Sequence, residues 1–304
     1  MAETLTEQSE GAESSAILMI ATLKRLLWRR PSLIPTLPLF IIGINLLIAI
    51  FAPLFSPHSP FDQELMDSML PPLGWEGGEA TYLLGTDFLG RDILSRIIYG
   101  ARISLIVAGS VIFVGASVGS LAGIVAGYFG GFIDNLLMRI ADIVLGFPLI
   151  LVAIVLVVVI GGSTGNVIFI VTALVWPRFA RVVRAETLSL REQDFVTLAK
   201  VAGMSSTRIM FRHILPNVFS TLIVLCTLQV GQVIVLESSL SFLGVGVPPP
   251  NPSWGIMVAD GRSNLMSGWW ISLTPGLAIL LLVVSFNITG DWLRDRLDPR
   301  LQRF

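Results

Sequence analysis

The chain has 304 residues, 54% hydrophobic and 13% charged, with a formal net charge of -1 and a mean hydropathy of +0.80. Several apolar runs approach the roughly 20 residues a helix needs to cross a hydrocarbon core, which excludes an ordinary soluble domain and predicts an all-α polytopic membrane protein. The runs are continuous rather than alternating, which argues against a β-barrel.

Met1 to Ser15 is polar and acidic with no early basic region, so no cleavable signal peptide is expected and the segment reads as a disordered tail. Ala16 to Arg30 reads either as an amphipathic segment on the membrane surface or as a helical extension into the first span. Six spans then follow, at about 37–55, 103–128, 140–160, 166–176, 218–236 and 269–288. The fourth is short and runs into Pro177 and Arg178. Parity supports it. Lys24, Arg25, Arg29 and Arg30 precede the first span, and Arg294, Arg296, Arg300 and Arg303 follow the last. The positive-inside rule puts both ends in the cytoplasm and requires an even number of crossings. It also puts Arg139 and the basic stretch from Arg178 to Arg212 inside, and the acid-rich stretch 56–100 outside.

Within the second span, Gly115, Gly119, Gly123 and Gly127 recur every four residues on one helical face. Such a stripe lets another helix approach closely, as intramolecular packing or as a subunit or pathway surface. Arg139 and Asp142 are three apart and are expected to pair. Pro148 is expected to kink the third span. Glu237 and Asp142 are the ionisable groups taken as pathway candidates, with hydrogen bonding to a neighbouring helix as the plain alternative for Glu237 and interface anchoring for Asp142.

Chemistry-bearing motifs are sparse. Cys226 is the only cysteine, and His58 and His213 are the only histidines, so a disulfide or a cysteine or histidine metal centre is not expected. Neither Lys24 nor Lys200 follows a glycine, so the phosphate-binding loop motif is missing. The Gly-x-Ser-x-Gly match at Gly115 to Gly119 lies inside an apolar helical run, where a nucleophile elbow cannot form. No cofactor and no catalytic residue are expected in this chain.

The charged insert "DFVTLAKVAGMSSTRIMFRHILPN", Asp194 to Asn217, lies between the fourth and fifth spans. Asp194 is expected to cap a two-turn helix that Gly203 ends; Ser205 or Ser206 then caps a second helix that Pro216 limits. Two turns are too few to be stable alone. Phe195, Val196, Leu198, Ala199, Val201 and Ala202 make this helix apolar, so it must dock on its own spans or on a partner.

The insert resembles the cytoplasmic coupling loop of binding-protein-dependent ABC-transporter permeases. That loop has a Glu-Ala-Ala triplet, a glycine four positions after its last Ala, and a closing Ile-x-Leu-Pro. Thr197, Leu198 and Ala199 stand at the triplet, Gly203 at the glycine, and His213, Ile214, Leu215 and Pro216 at the end. The first two triplet positions and the Ile are substituted. "LGTDFLGRDILSRIIYGARISL", "PPPNPSWGIMVADGR" and "NITGDWLRDRLDPR" are similar to segments of the dipeptide/oligopeptide/nickel subfamily, C-type subunit of its permease pair.

The resemblance covers about 33–300 and implies a type I ABC importer transmembrane fold. It implies a homologous partner permease, two ATPase subunits that bind the ATP and magnesium, an extracytoplasmic binding protein and membrane lipid as partners, with no nucleic acid. It implies import of di- or oligopeptides, with nickel or another small solute as the alternative cargo, through a bacterial inner membrane. It also implies that Asp194, Phe195, Thr197, Leu198, Ala199, Lys200, Ala202, Gly203, Arg208, Arg212, His213 and Pro216 couple this chain to an ATPase. The division so expected is 1–36 tail, 37–100 first span and outer segment, 101–290 permease core with coupling loop 181–217, and 291–304 tail. A secondary carrier or channel subunit, or a membrane scaffold, is the alternative from another class.

Overall fold

The computed structural model describes residues 35–297. The expected tail at 1–15 and amphipathic segment at 16–30 lie outside the described residues, as do 298–304. Helix α1 is Thr36–Ile50, α2 Ile93–Phe129, α3 Gly131–Leu145, α4 Leu149–Ile160, α5 Thr164–Arg191, α6 Asp194–Val201, α7 Ser206–Phe242, α8 Trp254–Gly261 and α9 Trp269–Leu297. Among the described residues the regular structure is helical apart from one isolated bridge between Thr86 and Asp92.

Helices α2, α5, α7 and α9 are each long and apolar enough to cross a membrane, and α3 with α4 makes a fifth candidate crossing. Helix α1 has 15 residues, short of a full crossing. It breaks at Phe51, and Pro53, which has no N–H to give, begins a separate turn at Ala52–Phe55. Against the six expected spans stand five candidate crossings and this shorter apolar helix.

The expected single third span with a kink is instead two helices bent by 90°. The break falls at Gly146–Phe147–Pro148: proline removes a donor and pushes the residue before it out of helical geometry. The pair still returns the chain. A Cβ on Gly119 would lie 2.4 Å from the Trp176 carbonyl oxygen, on Gly123 2.6 Å from that of Ala180, and on Gly127 2.9 Å from that of Arg184. Contacts that advance together along both helices mean that α2 and α5 run parallel, so 130–163 must bring the chain back. The glycine stripe is therefore intramolecular packing. Gly115 sits outside the tight zone, with its nearest neighbour at 3.9 Å.

The expected short fourth span is also corrected. Helix α5 continues through the buried Pro177 to Arg191, so Arg178, Arg181, Arg184 and Arg191 belong to a helix, not to a loop beginning at 181. Arg184 grips the buried Asp134 through both carboxylate oxygens, and Arg181 pairs with Asp142. Asp142 therefore pairs across to α5, not with Arg139. Arg191 Nη1 donates to the Gly127 carbonyl at 3.0 Å, satisfying an orphan acceptor in the last turn of α2.

Helix α7 runs antiparallel to α5, since Arg178 meets Gln229 and Thr221 meets Glu186. Helix α9 in turn runs antiparallel to α7, because Gly231 faces Asn287 and Gly290 faces Leu228. At the opposite end from the α5–α7 connection, the segment before α2 and helix α8 are clasped together. Asp87, fully buried, receives Arg91 Nε at 2.7 Å and Arg96, and Asp260 of α8 receives Arg91 and Arg96 at 3.2 and 3.3 Å. Trp254 Nε1 donates to the Ile97 carbonyl at 3.0 Å. Two separately recognised sequence motifs, 84–105 and 248–262, thus form one structural unit.

Candidate functional site

The α5–α7 connection is the first candidate. Helix α6 opens with Asp194 as its first helical residue; the cap position belongs to Gln193, whose side chain makes no capping bond. The expected cap is thus displaced by one residue, though the Asp194 carboxylate still complements the helix N-terminus. At the other end Gly203 has φ +77°, in the left-handed region. The Gly203 N–H reaches the Lys200 carbonyl at 3.0 Å, and the Met204 N–H reaches that of Ala199 at 3.1 Å. Together these bonds form a Schellman stop.

Ser205 caps the next helix by accepting from the Arg208 N–H at 3.4 Å. Pro216 does not limit that helix, contrary to expectation. A π-turn at Met210–Ile214 gives Leu215 a partner at the Met210 carbonyl, and α7 continues past Pro216. A proline near the first turn of a helical segment loses little, because its missing donor is redundant there.

Helix α6 has two faces. Val196 and Ala199 are buried against the chain's own helices. Phe195 is half-buried with its ring 6.3 Å from that of His213. Lys200 Nζ lies 5.6 Å over the Tyr128 ring at the end of α2. On the opposite side Leu198 is 67% and Val201 81% exposed, three residues apart on one helical face. Asp194, Thr197, Ala202, Arg208, Arg212 and Pro216 are exposed around them, with Phe211 51% exposed nearby in sequence. The helix thus both tucks against its own chain and presents an uncovered apolar edge.

Asp142 and Glu237 are not part of this cluster. Asp142 is the α3–α5 clamp already described. Glu237 is fully buried: Ser241 Oγ donates to it at 2.7 Å, Ser104 Oγ of α2 at 3.3 Å and Ser238 Oγ at 3.5 Å. It ties α7 to α2 and lines neither of the two cavities described here.

The larger cavity, about 620 Å³, lies between the end of α4, the end of α7 and α8. The other, about 520 Å³, opens between Pro148–Ile150, α5, α7 and α9. Its walls are mostly apolar, and its polar groups are Arg178, Gln229, Gln232, Ser239 and Asn287. Sequence reasoning placed Arg178 in a loop because Pro177 looked like a helix end. The signal that could have found the site was the set of amides inside apolar runs, "LQVGQV" and "SFNITG".

Comparison with known proteins bears on this arrangement. Residues 119–303 match the family described as binding-protein-dependent transport system inner membrane component. The chain is 41% identical over 265 residues to the dipeptide transport system permease protein DppC of Haemophilus influenzae, covering 87% of this chain and 90% of that one. It is 45% identical over 261 residues to the DppC of Escherichia coli, covering 86% and 87%. The inward-facing MetNI methionine ABC transporter structure superposes with a TM-score of 0.56 at 16% identity, covering 68% of this chain and 98% of that one. At that identity the likeness establishes the fold.

Proposed function

This chain belongs to the family of binding-protein-dependent transport system inner membrane components, as a multi-pass permease, and from that membership we propose that it is one half of the translocation path of an ATP-driven peptide importer. The other half is a homologous permease. Of two ATPase subunits, one docks on the α5–α7 connection of this chain, and an extracytoplasmic binding protein delivers the solute at the opposite end, where 84–96 and α8 are clasped. Both chain ends lie in the cytoplasm of a bacterial cell. Di- or oligopeptides are the cargo, following the relatives' names.

The observation that carries this proposal is the two-faced helix α6. Val196 and Ala199 fix it to the chain while Leu198 and Val201 remain uncovered at its outer edge. A groove on an ATPase closing over that edge would drive the helix as a unit, because the Schellman stop and the inner face hold it. Energy enters as different ATP affinities of two conformations, with no chemistry in this chain.

The test is to purify the chain gently from its own membranes with a photo-crosslinking amino acid at Leu198. The expected product joins this chain to a nucleotide-binding subunit, with a second permease in the same preparation. Uptake by the chain alone in liposomes without ATP would overturn the proposal and favour a carrier.

A further inference from the structure

Arg178 lies fourteen residues after Thr164 and thirteen before Arg191, at the middle of α5. Its guanidinium reaches Gln229, which sits fourteen residues into the Leu215–Phe242 helix and thirteen from its end. The charge is therefore placed at mid-helix, half-buried between α5 and α7. A partly desolvated arginine is costly, and its partners indicate its use.

Those partners are neutral. Arg178 Nη1 donates to the Gln229 side-chain oxygen at 3.2 Å and to that of Gln232. No carboxylate among the described residues lies within ion-pair distance of it, in contrast to Arg91, Arg96, Arg181, Arg184 and Arg191. A guanidinium has five N–H donors, and these bonds use only those on Nη1. The two glutamines hold the side chain in place without neutralising it. Gln229 is 4% exposed, so its own geometry is set by packing.

Around this charge is the cavity of about 520 Å³, with Asn287 from α9 on its far wall and Pro148, Val175, Leu236 and Val283 among its apolar lining. A cation held by neutral amides at a mostly apolar cavity offers paired N–H donors to an anion. We propose that this cavity binds the carboxylate of the solute in transit, with Arg178 as the recognising group and Gln229, Gln232 and Asn287 positioning it. A carboxylate matches the guanidinium fork in two parallel hydrogen bonds. The proposal rests on the permease assignment and narrows its cargo to carboxylate-bearing solutes, with cations lacking a carboxylate disfavoured.

The test uses the whole complex in nanodiscs without the binding protein, read by saturation-transfer NMR. The probes are acetate against acetamide and Ala-Ala against Ala-Ala amide, at millimolar concentration. Wild type should bind acetate and Ala-Ala with a signal that acetamide and Ala-Ala amide, which lack a carboxylate, do not give. R178Q should weaken acid binding about tenfold or more, the loss of one charge-assisted contact. R178K keeps the charge but not the fork, so it should fall between them. Thermal melting of each complex separates loss of the site from loss of the fold.

No acid-selective signal in wild type, or an equal signal in R178Q, overturns the proposal; a carboxylate from a partner subunit already on Arg178 would give that result. ATP-driven Ala-Ala uptake by the same complex, reconstituted in liposomes together with its binding protein, is measured in parallel. Normal uptake without an acid-selective site sinks only this inference, whereas acetate binding without peptide uptake sinks the peptide cargo and leaves the site.

Discussion

Replacing Leu198 with Asp should uncouple the permease from its ATPase while leaving the chain folded. Leu198 is 67% exposed, so in the isolated chain the change costs little. Fully burying a leucine contributes roughly 1.5–3 kcal/mol, so docking over the exposed two-thirds contributes about 1–2 kcal/mol. That alone is about 5- to 30-fold in docking affinity, since each 1.4 kcal/mol is tenfold. A carboxylate forced into the groove adds a desolvation cost on top. The assay is peptide-stimulated ATP hydrolysis by the reconstituted complex, with co-purification as the measure of docking. Stimulation should fall at least tenfold while yield and melting temperature of the permease stay unchanged. The control is Val196→Asp, where the side chain is fully buried against the permease itself, and there yield should fall. Normal stimulation in Leu198→Asp would refute the assignment of this face to the ATPase.

Other positions give sharper contrasts between space and conformation. At Gly203 a Cβ would meet nothing within 4 Å, but φ is +77°. Gly203→Asn, which tolerates that region, should keep transport, and Gly203→Val should lose it, read as uptake per inserted chain. At Gly123 a Cβ would meet backbone of Ala180 and Arg184 at 2.6 and 2.9 Å. Gly123→Ala should therefore lower folded yield, while Gly115→Ala, with 3.9 Å of clearance, should not. Glu237→Ala should destabilise by about 1–3 kcal/mol, because it leaves serine hydroxyls buried without their acceptor. Glu237→Gln keeps an accepting oxygen and should be milder; equal melting temperatures for the two variants would remove the Glu237 tie between α2 and α7.

Much of the fold was legible because lipid leaves so few solutions: continuous apolar runs and a four-residue glycine period each have one dominant physical reading. The misses cluster at prolines. Pro148 was expected to bend a helix and instead separates two. Pro177 and Pro216 were expected to end helices and instead lie inside them. Local sequence does not decide among these outcomes. Pro177 is buried where α5 packs on α2, and tertiary contact holds the helix through it. Pro216 follows a π-turn that re-pairs the backbone. Gly146 beside Pro148 has no such support. The Arg178 cavity was hidden by the same error, since a residue assigned to a loop is not tested as a charge between helices. Helix α6 was legible down to its glycine stop, but which of its faces was free needed three dimensions.

These corrections change how a push on α6 would spread. As a loop beginning at 181, the connection would have been a soft tether. As observed, α6 follows a 28-residue helix after Glu192 and Gln193, and that helix is tied to α2 by interlocked glycines and to α3 through Arg184 and Asp134. On the other side α6 is joined through the Phe195–His213 contact to the turn that begins α7. Helices α5 and α7 are the two walls that hold Arg178 between them. On the proposed docking, force on one short helix reaches both walls at once. The Arg178 bonds to Gln229 and Gln232 and the Thr221 bond to Glu186 lie in the seam that must then slide or hold. In this seam each ionisable group, Arg178 and Glu186, bonds a neutral partner, so sliding separates no ion pair and strands no opposite charge. The ion pairs lie instead in the α3–α5 clamp and in the 84–96 and α8 clasp. That division places the stiff connections outside the moving seam and the exchangeable ones inside it.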